Sequence, residues 1–284
     1  MKKVLITGVN SYVGNKFAEW IAQYPDDYEI DKISLKNNEW KKMSFSDYDT
    51  VLHVSAIVHQ KEDNNNRDIY YRINSDLTYC IAKKAKNDGV KQFIYFSTMS
   101  VYGLDRGIIS QHTPKKPKNH YGASKLQAEN RVRTLEDEEI SIAILRPPMI
   151  YGKGAKGNYQ KLARMAKVAP IFPNINNSRS MLHIDNLSEF LRLLIDNEES
   201  GVFFPQNKEY VNTSEMVHTI SRIHRKRILM SKLFNPFIHF TIGRINIITK
   251  VFGTLVYDKN ISTYQINYRV REFEKSLIIS EKER

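Results

Sequence analysis

The chain reads as an α/β protein built on a doubly wound parallel sheet, with a smaller, partly interleaved C-terminal domain. Three observations carry that reading. Short apolar runs of strand length alternate with helical patterns from Lys3 to about Arg146. The first is a short apolar run, long enough for a parallel strand buried on both faces. It opens into a glycine-marked turn and then a helix.

The elements follow in order. Residues 3–7 form the first strand, and Gly8-Val-Asn-Ser-Tyr-Val-Gly14 forms the turn. The helix after it carries Phe17, Trp20 and Ile21. Strand, glycine turn and helix together make a dinucleotide-type fingerprint, with a phosphate at the helix N-terminus. Gly8 permits the tight turn, and Gly14 permits close packing of helix on strand. Asn10, Tyr12 and Val13 complete the loop. The middle position is Ser11, where glycine normally lets backbone approach a pyrophosphate; either its hydroxyl donates to the phosphate or the loop shifts.

The second strand covers 30–35 and the third 50–56. So few residues separate them that one helix–strand unit is shortened, leaving 40–45 to line an adenine side. A helical pattern over 76–86 groups Leu77, Cys80, Ile81 and Ala85, which makes Cys80 a buried structural thiol. That helix ends at Asn87-Asp-Gly89, and the fourth strand is 92–97. The next helix carries Tyr121 and Lys125, and the fifth strand is 142–146. Residues 1–150 read as the nucleotide-binding domain, returning in part around 179–200, and 151–284 mainly as the substrate domain.

Length and composition fit a globular chain with a sizeable core: 284 residues, 41% hydrophobic and 26% charged. A single cysteine excludes a disulfide framework and a thiolate metal site. His53, His59 and His183 show no ligand spacing, so no metal is expected and all three read as structural. Met-Lys-Lys precedes only a short strand, not a signal h-region, and no run reaches the length of a membrane span. A cytoplasmic location is expected.

The net charge of +12 is uneven. From Arg222 to Arg284, 13 Lys/Arg stand against 5 Asp/Glu, and no acidic residue lies between Met216 and Tyr257. Such a surface suits a diphosphate, nucleic acid or an anionic membrane, or is simply solvated.

Tyr121 and Lys125 stand four apart in Tyr-Gly-Ala-Ser-Lys, on one face of a helix. A nearby ammonium favours phenolate, so the Tyr121 pKa is expected to fall toward working pH. Such a Tyr exchanges a proton with an alcohol or ketone oxygen. At the end of the second strand the chain reads Ser34-Leu-Lys-Asn37, where NAD-binding folds place an acid. Lys36 removes a repulsion and adds a charge for a 2′-phosphate, favouring NADP(H) over NAD(H).

These residues resemble the extended short-chain dehydrogenase/reductase family, the NAD-dependent sugar-nucleotide epimerase/dehydratase group, whose fold is Rossmann-like. The resemblance runs from Lys3 to about Asn186. It rests on Thr7-Gly8…Gly14, His53-Val-Ser-Ala56, Asn74, Ser97-Thr-Met-Ser-Val-Tyr-Gly103, Tyr121-Gly-Ala-Ser-Lys125 and Arg146-Pro-Pro-Met-Ile-Tyr-Gly152. It implies catalytic Thr98, Tyr121 and Lys125, with Lys125 also holding the nicotinamide ribose. Ser55, Ala56, Asn74 and Pro148 join the glycine loop and Lys36 at the cofactor. Without Tyr121 and Lys125, Thr98 would read as a strand-end cap. The family's dehydratases carry an acid/base pair after that Thr; here Met99 and Ser100 stand there, facing substrate, and dehydration is rejected.

The resemblance places a UDP-sugar diphosphate at Asn158 and Arg179. It is closest to the capsular-polysaccharide and O-antigen reductases of UDP-4-keto-6-deoxy-N-acetylhexosamines, which yield UDP-N-acetyl-fucosamine or quinovosamine. The alternative is a UDP-hexose 4-epimerase with tightly held NAD. From another class, a non-catalytic nucleotide- or RNA-binding module has only the basic tail in support, and no nucleic acid is expected. The family leaves a homodimer open.

The last hundred residues say less. Residues 203–205 and 210–214 read as a strand and a helix start capped by Thr213 or Ser214. The apolar and basic stretch 232–255 reads as a substrate-domain lid, with peripheral membrane contact the other reading. Residues 272–284 are charged and expected to fray.

Overall fold

A computed structural model of the chain describes residues 1–58 and 67–282; His59 lies outside them. In chain order the elements begin β1 (Lys2–Thr7), α1 (Tyr12–Ile21), β2 (Tyr28–Ile33), β3 (Thr50–His53), α2 (Arg67–Tyr71), α3 (Thr78–Asn87), β4 (Gln92–Phe96), β5 (Gly107–Ile109) and α4 (His120–Arg133). Next come β6 (Ser141–Leu145), β7 (Met149–Tyr151), α5 (Asn158–Val168), β8 (Ile171–Pro173), β9 (Met181–His183), α6 (Ile184–Asp196) and β10 (Gly201–Phe203). The chain finishes with α7 (Thr213–Ile223), β11 (Leu229–Ser231), α8 (Asn235–Thr241), α9 (Asn246–Phe252), β12 (Leu255–Tyr257) and α10 (Phe273–Glu281).

The chain forms two compact units. The first holds Met1–Gly103, Pro114–Pro147 and Leu187–Pro205; the second holds Leu104–Thr113, Pro148–Asn186 and Gln206–Arg284. The first unit is a six-stranded sheet in the order β10-β6-β4-β3-β1-β2, every pair parallel. Its strand interiors are apolar because both faces are covered. On one face Leu5, Val51, Phe93 and Ile142 line up across the sheet and pack with Ile81, Ala85, Ala128 and Val132 of α3 and α4. On the other, α1 approaches so closely that a Cβ on Gly14 would lie 2.8 Å from Ile6 Cγ2.

Between β2 and β3 only a 3-10 turn, Glu39–Lys41, replaces a helix. Trp40 and Phe45 do not line an adenine side: both are buried in the α3/α4 core. Cys80 is exposed, not buried. The inner stripe of α3 runs through Thr78, Ile81, Ala82 and Ala85, one step away from it.

The second unit holds three two-stranded parallel sheets, β11-β8, β12-β5 and β7-β9. Asn212, not Thr213 or Ser214, caps α7, its side chain accepting from Glu215 N at 3.0 Å. Residues 273–281 do not fray but form α10. Leu277 is buried, Ser276 meets Tyr151 Oη at 2.6 Å, and Tyr159 donates to Glu281 at 2.7 Å.

Candidate active site

β4 ends at Phe96, and the chain turns at once through Ser97 and Thr98. Thr98 caps the 3-10 turn Met99–Tyr102, its Oγ1 accepting from Ser100 N at 3.1 Å. α4 starts against this turn: a Cβ on Gly122 would lie 2.7 Å from Ser100 O. Asn119 caps α4 by accepting from Gly122 N at 2.8 Å. The close approach sets the Tyr121 phenol beside Thr98, whose hydroxyl donates to Ser100 Oγ at 3.2 Å. Thr98 is thus both the strand-end cap and the partner of Tyr121. Met99 is half-buried and Ser100 exposed; neither side chain supplies an acid or base.

Lys125 lies one turn further along α4, buried, with Nζ donating to Phe96 O at 2.5 Å and 4.7 Å from the Tyr95 ring centroid. The expected depression of the phenol is not what the structure gives. Burial pushes the Tyr121 pKa up to about 12, the Thr98 hydroxyl pulling it down by less. Burial lowers Lys125 to about 7, with Glu129 opposing. The reason is aim: Lys125 spends its contact on the Phe96 carbonyl. Tyr121 therefore carries its proton at neutral pH, the form a proton donor needs.

Beneath this pair lies a cluster that sequence reading missed. Arg146 Nε donates to Glu129 Oε1 at 2.9 Å and Nη2 to Oε2 at 2.5 Å, a two-point fork. Arg146 Nη1 donates to Tyr102 Oη at 2.8 Å, and Ser97 Oγ donates to Glu129. Glu129 stands four past Lys125 and eight past Tyr121, on the same helical stripe. A carboxylate on that stripe was the signal available. The cluster ties α4 to the strand ends that carry Ser97 and Arg146.

The glycine loop fits an anionic cofactor. Gly8 has φ of +93°, and a Cβ there would meet Ser55 Oγ at 2.6 Å. Ser11 caps α1, accepting from Gly14 N at 3.2 Å, and keeps its own proton for donation. The first turn of α1 has no acidic residue, so its N-terminus stays attractive to phosphate. Asn10, Tyr12 and Val13 lie in this turn and the start of α1. Lys36 is exposed in the loop after β2, and no acid stands among residues 34–38.

Asn74 lies in a π-helical turn, Arg72–Leu77, between α2 and α3. Its Oδ1 accepts from Ile57 N at 2.8 Å, while Nδ2 donates to Ile57 O at 3.1 Å and Ser124 Oγ at 3.2 Å. It thus holds the segment with Ser55 and Ala56 against α4. Below it, Thr78 Oγ1 donates to Asn74 O and so accepts from His53 Nε2 at 2.9 Å. Thr7 must then donate to Nδ1, at 2.9 Å. His53 is neutral, its pKa lowered by burial to about 3. His183, in the second unit, accepts from Asp185 N at 3.3 Å and is lowered by burial to about 4. Both are structural.

The remaining candidates belong to the second unit. Pro148 is buried just before β7. Asn158 is the exposed first residue of α5. Arg179 is half-buried, its Nη1 donating to Gly253 O at 3.0 Å and its main chain bridging Val211. Burial lowers its pKa, with Asp105 opposing.

Comparison with known proteins adds three kinds of likeness. The model of the NAD dependent epimerase/dehydratase family matches residues 4–204. An N-acetyl-α-D-glucosaminyl-diphospho-ditrans,octacis-undecaprenol 4-epimerase of Escherichia coli O157:H7 is 27% identical, over 79% of this chain and 73% of that protein. A UDP-glucose 4-epimerase of Vibrio cholerae is 28% identical, over 90% of this chain and 87% of its own length. A dTDP-4-dehydrorhamnose reductase ortholog of Clostridium acetobutylicum shares the fold. It matches with a TM-score of 0.75 at 17% identity, covering 98% of each chain.

Proposed function

We propose that this chain, an enzyme belonging to the NAD-dependent epimerase/dehydratase family, is a 4-ketoreductase of a diphosphate-linked N-acetylhexosamine. The substrate we favour is a UDP-4-keto-6-deoxy sugar, reduced in making a cell-surface polysaccharide. What supports the reading is the placement of Tyr121 beside Thr98, with Met99 and Ser100 in place of an acid/base pair. A bound nicotinamide cofactor supplies the hydride at C4. Tyr121 gives its proton to the C4 oxygen, and Thr98 steadies that oxygen by hydrogen bonding. Lys125, one turn along the same helix and held at the Phe96 carbonyl, is assigned to the nicotinamide ribose. For the second unit we propose that Asn158 and Arg179 bind a diphosphate, a guanidinium fork suiting that role. Lys36, in a stretch without an acid from residue 34 to 38, favours NADP(H) over NAD(H).

A second reading is a 4-epimerase, supported by the names of the two relatives. One assay separates them: the protein is mixed with NADPH and enzymatically generated UDP-4-keto-6-deoxy-N-acetylglucosamine, and nicotinamide absorbance is followed. Stoichiometric oxidation supports the reductase. No oxidation, with NAD tightly bound to the purified protein, means epimerase. Tyr121→Phe should lower turnover by about 10²–10⁴ without changing the melting temperature; near-normal turnover would sink the assignment of Tyr121.

A further inference from the structure

Several large apolar side chains are exposed around α8 and α9. Leu233 is 82% exposed, Phe237 63% and Phe240 64%. Phe237 and Phe240 stand three apart on α8 and Leu233 lies in the turn just before it, while Ile238 and Thr241 are buried. Ile247, 72% exposed, projects from α9, whose Thr249 is buried. Large apolar side chains grouped at helical spacing and left in water call for a covering partner.

The charges around them say which kind. Arg225, Lys226, Arg227, Lys232, Arg244 and Lys250 are exposed, and no Asp or Glu occurs between Met216 and Tyr257. The Arg244 guanidinium lies 4.3 Å from the Phe240 ring centroid and also donates to Phe240 O. A cation held over an aromatic ring suits a boundary where one side is apolar and the other wet and charged.

We propose that this face, from Leu229 to Lys250, docks on an anionic phospholipid surface. Phe237, Phe240, Leu233 and Ile247 enter the headgroup–acyl boundary, and the flanking Lys and Arg meet acidic headgroups. A second copy of the chain is the poorer occupant: face-to-face pairing would bring two acid-free basic surfaces together without a carboxylate between them. The contact is peripheral, because among the described residues no helix is long and apolar enough to cross a membrane. The proposal goes beyond the catalytic reading and does not depend on which sugar is reduced.

Vesicle flotation tests it. The purified full chain is mixed with phosphatidylcholine vesicles made with or without phosphatidylglycerol. It should float with the anionic vesicles, less at high salt, and stay behind with the neutral ones. Phe237→Ser combined with Phe240→Ser should lower the partition about tenfold or more, since two rings no longer leave water. Lys232→Glu combined with Lys250→Glu should do the same through charge. All four side chains are exposed, so melting temperatures should stay as in wild type. No flotation with anionic vesicles, or flotation indifferent to both double variants, overturns the proposal. So does a wild-type dimer that Phe237→Ser/Phe240→Ser turns into monomer without any vesicle binding; the face would then be a contact between copies. Flotation needs no turnover, so its failure leaves the ketoreductase reading untouched.

Discussion

Replacing Glu129 by Gln removes one charge from an ion pair that water barely reaches: Glu129 is 1% exposed and Arg146 4%. Gln keeps one acceptor oxygen for the guanidinium but no longer balances its charge. Breaking a buried pair from one side typically costs 3–5 kcal/mol, because the surviving charge stays desolvated. A retained hydrogen bond puts Glu129→Gln near the lower end, about 3 kcal/mol. For a chain of this size 1 kcal/mol moves the melting temperature by roughly 2 °C. The expected fall is therefore about 6 °C, read by circular dichroism. Arg146→Met added to Glu129→Gln removes the orphaned guanidinium and should recover much of the loss, since apolar replacement of a buried pair is often neutral or better. A melting temperature within about 1 °C of wild type for the single variant, or a double variant less stable than the single, would refute the reasoning.

Three other outcomes follow from geometry already described. Gly103→Ala should fail to accumulate folded protein or lose more than ~3 kcal/mol, read by urea unfolding. Its φ is +64°, and the new Cβ would lie 1.9 Å from Lys116 O. Lys125→Met should abolish turnover while leaving the melting temperature unchanged or higher, because it removes a desolvated ammonium; a clear fall would mean the Phe96 carbonyl contact matters more than the charge. His53 and His183 are held neutral in the fold, at about 3 and about 4, whereas the unfolded chain protonates them near 6.5. The stability they confer is full above about pH 6.5 and drains away as pH falls toward 4, by at most ~1.4 kcal/mol per pH unit for each. His183→Gln should flatten that slope in urea midpoints, and an unchanged slope counts against the assignment.

Sequence reading was sharpest where the physics is local. The apolar run 92–97 is β4, Gln92–Phe96, and 142–146 is β6, Ser141–Leu145. It slipped where distant partners decide. β3 stops at His53, three residues short of the expected end, because the segment beyond it hydrogen-bonds Asn74. β2 begins at Tyr28, earlier than expected, because Lys2 of β1 sets its register. Cys80 falls outside the buried stripe because Thr78, a polar residue that an apolar pattern omits, turns inward to receive His53. In the site, one helical turn between Tyr121 and Lys125 was legible, but not where Lys125 points. The carbonyl it meets comes from a strand end far away in sequence. The pairing of Glu129 with the motif residue Arg146 is not legible for the same reason: neither position announces burial, and only the folded chain brings them together.

The order in which the sheet is assembled bears on life at the ribosome. The first unit draws on three separate stretches, and its outermost strand, β10, pairs with β6 only once Gly201–Phe203 has been made. Until then a nascent chain presents β6 as an open edge of unpaired N–H and C=O groups, flanked by apolar side chains. A fragment ending near Pro147 would be arrested in that sticky state, prone to strand-to-strand association. Translation past Pro205 supplies the strand that covers β6, and the edge then passes to the short segment Gly201–Phe203.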